Sequence, residues 1–337
     1  MTDTRPLVVL SAAPRGVDQI FRPGRFEALC ADFDVVVDDG FTRLDDLLPE
    51  VFAIVGQPDL PFERLERARR LRAVVNIEGN FFPNVDYPAC FARGIRVLGC
   101  GPVYAQPVAE YALGLALDLC RGITREDRAF RAGTEGWVAD STADSILLSG
   151  ADVALIGFGN LGRALRPLLV PFHPVLRCYD PWLPDSVLSG QQMIPVGLHD
   201  ALAQSQVIFV LATVTSESEH LLGPAELDAI PRGARLVLVS RAAVVDVDAL
   251  LDRVAEGRFL AAIDVWPDEP MPADHRARSM DGLVLSAHRA GGIPSAFHDI
   301  GELVIDDLRL LKAGLPPVRL QVAAPELVGR YRNRPVV

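Results

Sequence analysis

Short apolar runs recur along the whole chain and alternate with stretches of helical spacing. Each run has the length of a strand, and none approaches the roughly 18 residues of a membrane span. The runs predicted as strands are 7–10, 34–37, 51–55, 73–77, 95–98, 153–156, 175–179, 207–211, 235–239, 260–265 and 283–285. Strands that alternate with helices in this way indicate parallel βαβ units, so the pattern predicts an α/β fold.

The predicted helices fall between these strands. They are expected at 26–30, 61–73, 108–120, 163–170, from Pro224 onward, at 247–256 and at 300–312. Residues 108–120 carry apolar side chains at helical spacing over several turns, which predicts a long crossover helix between two α/β units. A polar loop over 139–145 precedes the second of these units.

Three glycines follow the strand predicted at 153–156. Gly157, Gly159 and Gly162 have the G-x-G-x-x-G spacing of a dinucleotide-binding turn. The first glycine permits a tight turn, the second lets the backbone approach a pyrophosphate, and the third lets helix and strand pack closely. The helix that follows offers unpaired N–H groups and a positive dipole end to the phosphates. This context predicts a dinucleotide site.

Asp180 directly follows the next apolar run, 175–179. A carboxylate at the end of this strand accepts a hydrogen bond from a ribose 2′-hydroxyl, and its charge repels a 2′-phosphate. The sequence therefore predicts NAD, rather than NADP, as the cofactor.

Composition narrows the remaining classes of function. A chain of 337 residues is expected to form two domains. Its net charge of −11, without a basic tract, argues against nucleic acid or an anionic membrane as the main partner. The N-terminus lacks a signal-peptide layout, and the five cysteines have neither disulfide-frame nor zinc spacing, which predicts a cytoplasmic protein without a metal site. The only lysine is Lys312, so catalysis at the central sites falls to His, Arg and carboxylates.

Three further segments place a reactive side chain just after a predicted strand, where open α/β sheets bind ligands. Arg241 either forks onto a carboxylate or forms a surface salt bridge. Asp264 and Glu269 flank a turn, and are either functional acids or solvated ones. His288 lies between a strand and a Gly-Gly turn, and is either a proton donor or a structural histidine.

The order of these motifs resembles that of the D-isomer-specific 2-hydroxyacid dehydrogenases, over nearly the whole chain. The motifs that carry the resemblance are the glycine turn with Asp180, Val108-Ala109-Glu110, Ser240-Arg241 with Val245-Asp246, Asp264 to Glu269-Pro270, and His288 followed by Ala290-Gly291. The resemblance implies two domains, with a Rossmann dinucleotide-binding domain inserted into a smaller flavodoxin-like substrate domain. It places the substrate domain at 1–102 and 292–337 and the NAD-binding domain at 103–291, and it implies a homodimer.

The resemblance also implies roles for the catalytic residues. Arg241 would hold the carboxylate and the carbonyl of a 2-oxo acid. His288 would give a proton to the carbonyl oxygen as hydride arrives from the nicotinamide, and Glu269 would pair with His288 and favour the imidazolium. A cation and a proton donor stabilise the negative charge that develops on the carbonyl oxygen when hydride adds. Asp264 would bind the nicotinamide carboxamide.

Further contacts with cofactor and substrate follow from the same resemblance. The implied cofactor contacts are Gly157, Phe158, Gly159, Asn160, Leu161, Gly162, Asp180, Pro181, Ala212, Thr213, Val239, Ser240, Arg241, Asp264, His288 and Gly291. The implied substrate contacts are Asn80, Phe81, Tyr104 and Arg241. No metal is implied.

The substrate loop departs from the family pattern. It reads Gly79-Asn80-Phe81, with a phenylalanine in place of the usual second glycine, and Tyr104 stands where asparagine is common. The backbone amides of Asn80 and Phe81 are still expected to bind a carboxylate. Two interpretations stay open. Either Phe81, Tyr104 and Trp137 line a pocket for a larger apolar 2-oxo acid, or Phe81 and Phe82 pack into the domain.

Two departures fall in the cofactor domain. The segment Leu211-Ala212-Thr213 lacks the common His-x-Pro, and Arg289 follows His288 in place of an apolar residue. Arg289 is either a second cation for a doubly acidic or phosphorylated substrate, or a solvated side chain.

The expected function is the NAD-dependent interconversion of a small 2-oxo acid and its D-2-hydroxy acid. Reduction of hydroxypyruvate or glyoxylate is the reaction expected first. Oxidation of phosphoglycerate or phosphite is a less favoured expectation, because the sequence shows neither a regulatory tail domain nor a lysine near the substrate loop. The alternative from another class is an NAD(H)-sensing binding protein, similar to the related corepressors. The sequence shows no peptide groove and no disordered tail in favour of that alternative.

Overall fold

The chain forms two compact units. The structure, a computed structural model, describes residues 5–138 and 142–332. Unit 1 comprises Met1–Tyr104 and Gly292–Val337, and unit 2 comprises Ala105–Gly291, so unit 2 is inserted into the sequence of unit 1. The first four and last five residues, and positions 139–141 of the polar loop predicted at 139–145, lie outside the described residues.

Strands and helices alternate through the described ranges, as the sequence predicts. The strands are β1 Leu7–Leu10, β2 Asp34–Val37, β3 Val51–Val55, β4 Ala73–Asn76, β5 Arg96–Gly99, β6 Asp152–Ile156, β7 Val175–Tyr179, β8 Ile194–Pro195, β9 Val207–Val210, β10 Arg235–Leu238, β11 Leu260–Ile263, β12 Leu283–Leu285 and β13 Gln321–Val322. The helices are α1 Val17–Ile20, α2 Arg25–Asp32, α3 Leu44–Leu47, α4 Phe62–Arg67, α5 Tyr87–Ala92, α6 Gly101–Arg121, α7 Ile123–Ala132, α8 Asn160–Leu169, α9 Asp185–Ser189, α10 Leu198–Ala203, α11 Pro224–Ala229, α12 Val247–Ala255, α13 Pro294–Lys312 and α14 Pro325–Val328.

Unit 1 is organised around a six-stranded sheet in the order β13-β5-β4-β3-β1-β2. All pairs are parallel except β13 with β5. Successive residues of β1 enter two different buried clusters: Val8 and Leu10 share one with Ile300 of α13, whereas Val9 shares the other with Leu65 of α4. A parallel strand covered on both faces needs apolar residues throughout, which is why β1 reads as a continuous apolar run.

Unit 2 contains a seven-stranded parallel sheet in the order β12-β11-β10-β9-β6-β7-β8. From β8 to β11 this is the 3-2-1-4-5-6 order of the Rossmann fold. The order reverses between β6 and β9, and open α/β sheets bind ligands outside the carboxyl ends of the strands at such a point. The fold confirms the predicted α/β class and the Rossmann unit, and it puts the glycine turn after β6 at this reversal.

The observed strands lie within two residues of the predicted bounds, but two strands were missed. Both β8 and β13 have only two residues, too few to give an alternating pattern. Of the helices, α4 ends at Arg67 rather than at 73. The backbone N–H of Arg72 already donates to the carbonyl of Phe52, 2.7 Å away, so the chain is entering the sheet there.

Two long helices begin earlier than the sequence pattern predicts. α6 begins at Gly101 instead of 108 and continues through Pro107, and the boundary between the units falls inside it. α13 begins at Pro294 instead of 300, because a proline suits the first helical position, where no N–H partner is needed. In the described part of the chain, no helix combines the length and the apolar character needed to cross a bilayer.

Candidate active site

The three glycines of the G-x-G-x-x-G turn, Gly157, Gly159 and Gly162, lie where β6 leads into α8, and each is under a different steric constraint. Gly157 has a φ of +98°, and a Cβ there would lie 2.9 Å from the backbone of Ala212. A Cβ on Gly162 would lie 2.8 Å from the carbonyl oxygen of Gly157, which would force helix and strand apart. No described atom beyond its immediate neighbours lies within 4 Å of a Cβ added to Gly159. That open space at the N-terminus of α8 fits a pyrophosphate.

Asp180 follows β7, and its carboxylate closes the glycine turn. Its Oδ2 accepts a 2.8 Å hydrogen bond from the backbone N–H of Phe158, and its Oδ1 accepts a 3.0 Å bond from that of Trp182. A carboxylate has about four acceptor positions, so Asp180 can still accept a ribose hydroxyl. The acid and the phosphate-binding turn are therefore held together within unit 2.

The other predicted cofactor contacts gather at the carboxyl edge of the unit 2 sheet. Asn160 and Leu161 open α8, Pro181 follows Asp180, Ala212 and Thr213 follow β9, Val239, Ser240 and Arg241 follow β10, Asp264 follows β11, and His288 and Gly291 follow β12. Carboxyl ends of parallel strands share one edge, so the fold brings these segments together. Among them, the Ser240 hydroxyl is buried and has no hydrogen-bond partner in the described ranges. A bound polar group would satisfy it.

His288 and Glu269 form a hydrogen-bonded pair. Nδ1 of His288 lies 2.6 Å from Oε2 of Glu269, and Oε1 of the same carboxylate accepts a 2.8 Å bond from the backbone N–H of Trp266. With Nδ1 donating to Glu269, Nε2 is the ring nitrogen left to exchange a proton with a substrate. His288 also has a φ of +48°, a left-handed conformation that costs a non-glycine residue free energy and often occurs at functional sites.

The pKa of Glu269 lies below its ordinary value. Burial acts to raise this pKa, but the hydrogen bonds from the His288 ring and the Trp266 N–H outweigh it, together with the positive charges of His288 and Arg241. Glu269 is therefore an ionised carboxylate at neutral pH. Its negative charge lies against the His288 ring, 2.6 Å from Nδ1.

Arg241 lies three residues after the end of β10 at Leu238, and its side chain is half-buried. Its Nη1 donates a 2.7 Å hydrogen bond to the backbone carbonyl of Ser240, which fixes part of the guanidinium. Its charge acts on the Glu269 carboxylate, so Arg241 lies in the same electrostatic environment as the Glu269–His288 pair. The structure thus brings the three predicted catalytic residues together.

Asp264 has a contact that sequence reasoning missed. Its Oδ1 accepts a 3.0 Å hydrogen bond from the backbone N–H of Arg289, and its Oδ2 accepts a 3.1 Å bond from the backbone N–H of Ala290. The backbone carbonyl of Asp264 also accepts a 2.7 Å bond from the backbone N–H of His288. Asp264 is 1% exposed. It therefore holds the segment that carries His288. The pairing of β11 with β12 creates this contact, and sequence spacing alone gave no signal for it.

The loop after β4 in unit 1 carries two of the predicted substrate contacts, Asn80 and Phe81. Asn76 donates a 3.1 Å hydrogen bond from Nδ2 to the carbonyl of Asn80, and the Tyr104 hydroxyl donates a 3.0 Å bond to the carbonyl of Ile77. Within the described ranges, no acceptor occurs for the backbone N–H groups of Asn80 and Phe81. Those two donors are available to a carboxylate.

The aromatic side chains near this loop pack within unit 1. Phe81 is 5% exposed and its ring lies 5.8 Å from that of Tyr331, and Phe82 is 3% exposed. This favours packing over pocket lining for both rings. In unit 2, Trp137 is 70% exposed and lies against Phe130 with ring centroids 6.5 Å apart. Trp137 is therefore not packed into the core of its own unit.

Comparison with known proteins decides the family. A family model described as the NAD-binding domain of D-isomer-specific 2-hydroxyacid dehydrogenase matches residues 113–290, more than half of the chain. The chain belongs to this family.

Individual relatives of this dehydrogenase agree with the match. A glyoxylate reductase from Thermofilum pendens is 30% identical over 70% of this chain and 71% of its own, and a hydroxypyruvate reductase from Thermotoga maritima is 28% identical over 78% and 85%. The crystal structure of a phosphoglycerate oxidoreductase from Rhizobium etli is 43% identical, with a TM-score of 0.86, and covers 95% of this chain and 99% of that one.

These similarities confirm the predicted class of enzyme and the predicted cofactor, an NAD-dependent oxidoreductase of 2-hydroxy acids. The glycine turn with its open space at Gly159, and the acid that follows β7, fit NAD on structural grounds as well. In the described ranges, no group of three or more His, Cys, Asp or Glu side chains is arranged to hold a metal ion. The side chain of Arg289 is exposed, as a solvated arginine would be.

Proposed function

We propose that this dehydrogenase reduces a small 2-oxo acid to its D-2-hydroxy acid, with hydroxypyruvate or glyoxylate as the default substrate. The observation that carries the proposal is the 2.6 Å contact between His288 and the Glu269 carboxylate, within the electrostatic range of Arg241. This set combines a proton donor with a cation. Both are what a carbonyl oxygen requires as it gains negative charge.

The chemistry divides between the cofactor and the three side chains. NAD in its reduced form supplies hydride to the carbonyl carbon. Arg241 binds the carboxylate through two parallel N–H bonds and stabilises the charge that develops on the carbonyl oxygen. His288 gives the proton on Nε2 to that oxygen, and Glu269 keeps the ring oriented through its contact with Nδ1. In the oxidative direction His288 takes the proton back.

We also propose that the predicted contacts in unit 1 bind the substrate and that those in unit 2 bind the cofactor. The backbone amides of Asn80 and Phe81 would bind the substrate carboxylate, which is supported by the lack of any other acceptor for them in the described ranges. Tyr104 would act by fixing the preceding loop through its bond to Ile77. The Rossmann unit would bind NAD along the segments after β6, β7, β9, β10, β11 and β12.

The rival proposal, an NAD(H)-sensing binding protein, is not favoured. The relatives described above have the names of enzymes that act on 2-oxo or 2-hydroxy acids. One of them is called a phosphoglycerate oxidoreductase, so a phosphorylated acid belongs among the candidates beside glyoxylate and hydroxypyruvate.

A panel of 2-oxo acids assayed with NADH tests the proposal. We expect loss of NADH absorbance with at least one acid, and a D-configured product by chiral chromatography. The same panel with NADPH serves as the cofactor control. NADH binding without turnover of any acid would favour the sensing alternative.

A homodimer is proposed from exposed apolar side chains in unit 2. Ile123, Phe130, Trp137 and Leu147 are 58, 63, 70 and 67% exposed, although each is large and apolar. Such residues are unfavourable in contact with water and typical of a subunit interface. Light scattering should give twice the mass of the chain, and the double variant Phe130→Ser, Trp137→Ser should reduce it toward the monomer.

A cytoplasmic location is proposed from the thiols. All five cysteines are free, and Cys90, Cys100, Cys120 and Cys178 are buried, as expected in a reducing compartment. Fractionation of the source cells with an antibody against the chain would test this location.

A further inference from the structure

Arg15 of unit 1 is a cation for which the described residues supply no ion pair. It follows β1 directly after the Pro14 turn, at the carboxyl edge of the unit 1 sheet, and its guanidinium carbon lies 4.3 Å above the centre of the Phe297 ring. Its Nη1 is buried and has no hydrogen-bond partner in the described ranges. A buried guanidinium N–H normally has an acceptor, because leaving one unpaired costs free energy. Arg15 therefore requires an acceptor that the described protein does not supply.

Two acidic groups of this neighbourhood, Cys100 and Asp307, do not serve as that acceptor. Burial raises the pKa of the Cys100 thiol, and the charge of Arg15 only partly opposes the rise, so Cys100 stays a neutral thiol. Asp307 is fully buried, and its two oxygens accept hydrogen bonds from the backbone N–H groups of 318, 319 and 320. Neither group leaves an anion for Arg15.

The position of Arg15 places it within reach of the substrate loop. In the sheet, β3 lies between β1 and β4, so the ends of β1 and β4 are about 10 Å apart. The loops that follow all three strands lie at the same edge. The loops after β3 and β4 are joined by a 2.9 Å bond from the backbone N–H of Glu78 to the Gln57 side chain. An arginine side chain spans most of the remaining distance.

The guanidinium is also held ready for a ligand. Contact with the Phe297 ring restrains its position, because a cation is attracted to the face of an aromatic ring. A planar, fixed fork of N–H donors suits a carboxylate or a phosphate, and both present two oxygens to it. An immobilised fork loses less side-chain entropy when an anion binds.

We propose that Arg15 binds a second anionic group of the substrate, so that this dehydrogenase prefers a 2-oxo acid with a distal carboxylate or phosphate over a monoanionic one. The inference rests on the proposed function, since it places the 2-oxo carboxylate on the amides of Asn80 and Phe81. The distal anion of the same molecule then lies on the β1 side of the loop, where Arg15 supplies the missing charge. Arg289, the second cation that the sequence offers, is exposed and belongs to unit 2.

The test is equilibrium binding of acids to the complex with oxidised NAD, in which no hydride is available for reduction. Titration calorimetry would compare 2-oxoglutarate and 3-phosphohydroxypyruvate with pyruvate and glyoxylate. The wild type should bind at least one of the two dianions more tightly than both monoanions. In Arg15→Gln the Kd of that dianion should rise about 100-fold, and the Kd values of the monoanions by less than about threefold.

Two further variants separate charge from structure. Arg96 lies exposed at the opposite, amino edge of the same sheet, so Arg96→Gln should leave all four affinities unchanged. Arg15→Lys keeps the charge without the fork and should retain part of the preference for the dianion.

An equal loss of affinity for dianions and monoanions in Arg15→Gln would overturn the inference, and so would no loss for either or no preference in the wild type. If Arg15-dependent binding is present but no acid is reduced with NADH, the proposed function fails and the anion site stands. Which dianion binds more tightly distinguishes a distal phosphate from a distal carboxylate.

Discussion

The carboxylate of Asp264 holds the two residues that directly follow His288, through bonds of 3.0 and 3.1 Å to their backbone N–H groups. A third bond of 2.7 Å joins the backbone N–H of His288 to the carbonyl of Asp264. These contacts fix a histidine whose own φ of +48° is unfavourable. The acid that the resemblance assigns to the nicotinamide thus also positions His288, the proposed proton donor.

Asp264→Asn should lower stability as well as activity. An asparagine offers one oxygen and one N–H₂ group, so one of the two backbone N–H groups loses its acceptor in a buried place. We expect the free energy of unfolding without cofactor to fall by about 2 kcal/mol and kcat to fall at least about tenfold. Denaturant unfolding and steady-state kinetics would measure the two effects.

Asp268→Asn is the matched control, because Asp268 is exposed in the same segment, and it should change neither quantity. Unchanged cofactor-free stability in Asp264→Asn, with weaker NADH binding alone, would show that Asp264 serves only the nicotinamide.

Glu269→Gln should lower activity and change the pH dependence of stability. The variant keeps the shape of the side chain and removes the negative charge that lies 2.6 Å from the His288 ring, so kcat/KM for reduction should fall. Since the folded pKa of Glu269 lies below its ordinary value of 4.5, its ionised form contributes stability above pH 4.5, and that contribution is lost as the pH falls through the folded pKa.

Profiles of kcat/KM and of unfolding free energy against pH would test this pair of effects. We expect the wild type and Glu269→Gln to differ by about 1 kcal/mol in unfolding free energy at pH 7, and to converge as the pH falls through the folded pKa of Glu269. An unchanged kcat/KM would contradict the role of Glu269 beside His288.

Three alanine substitutions in the glycine turn should have separable effects. Gly162→Ala should lower the free energy of unfolding by about 1–3 kcal/mol, because the added Cβ meets the Gly157 carbonyl at 2.8 Å. Gly157→Ala should be at least as harmful, since its φ of +98° is unsuited to a side chain.

Gly159→Ala should leave stability within about 0.5 kcal/mol, as the space around it is open, and should weaken NADH binding at least about tenfold. Thermal unfolding and fluorescence titration with NADH measure the two quantities. Wild-type NADH affinity in folded Gly159→Ala would place the pyrophosphate elsewhere.

Much of this arrangement was predictable from the sequence, for physical reasons that differ between residues. The glycine turn and the strands could be predicted because local spacing and apolar runs determine them. The second role of Asp264 could not be predicted, because it depends on β11 pairing with β12. The packing of Phe81 against Tyr331 joins residues far apart in the chain, and the unpartnered Nη1 of Arg15 follows only from the surrounding tertiary structure.

Asp180→Asn should relax the choice between NAD and NADP. The asparagine oxygen can still accept the Phe158 N–H, so the turn is kept, while the negative charge and the acceptor for the Trp182 N–H are lost. The ratio of kcat/KM with NADPH to that with NADH should rise at least about tenfold, because repulsion of the 2′-phosphate is removed. Asp185→Asn, an exposed acid on α9, is the control. An unchanged ratio would contradict the role of Asp180.

The central claim is that His288 and Arg241 act on the substrate. The most direct measurement is NADH-dependent reduction of the best 2-oxo acid by the wild type, His288→Ala and Arg241→Ala, with NADH affinity measured on the same preparations. We expect each variant to lose at least about 100-fold in kcat/KM, and to bind NADH within about threefold of the wild type. Reduction by both variants at close to the wild-type rate would contradict the account.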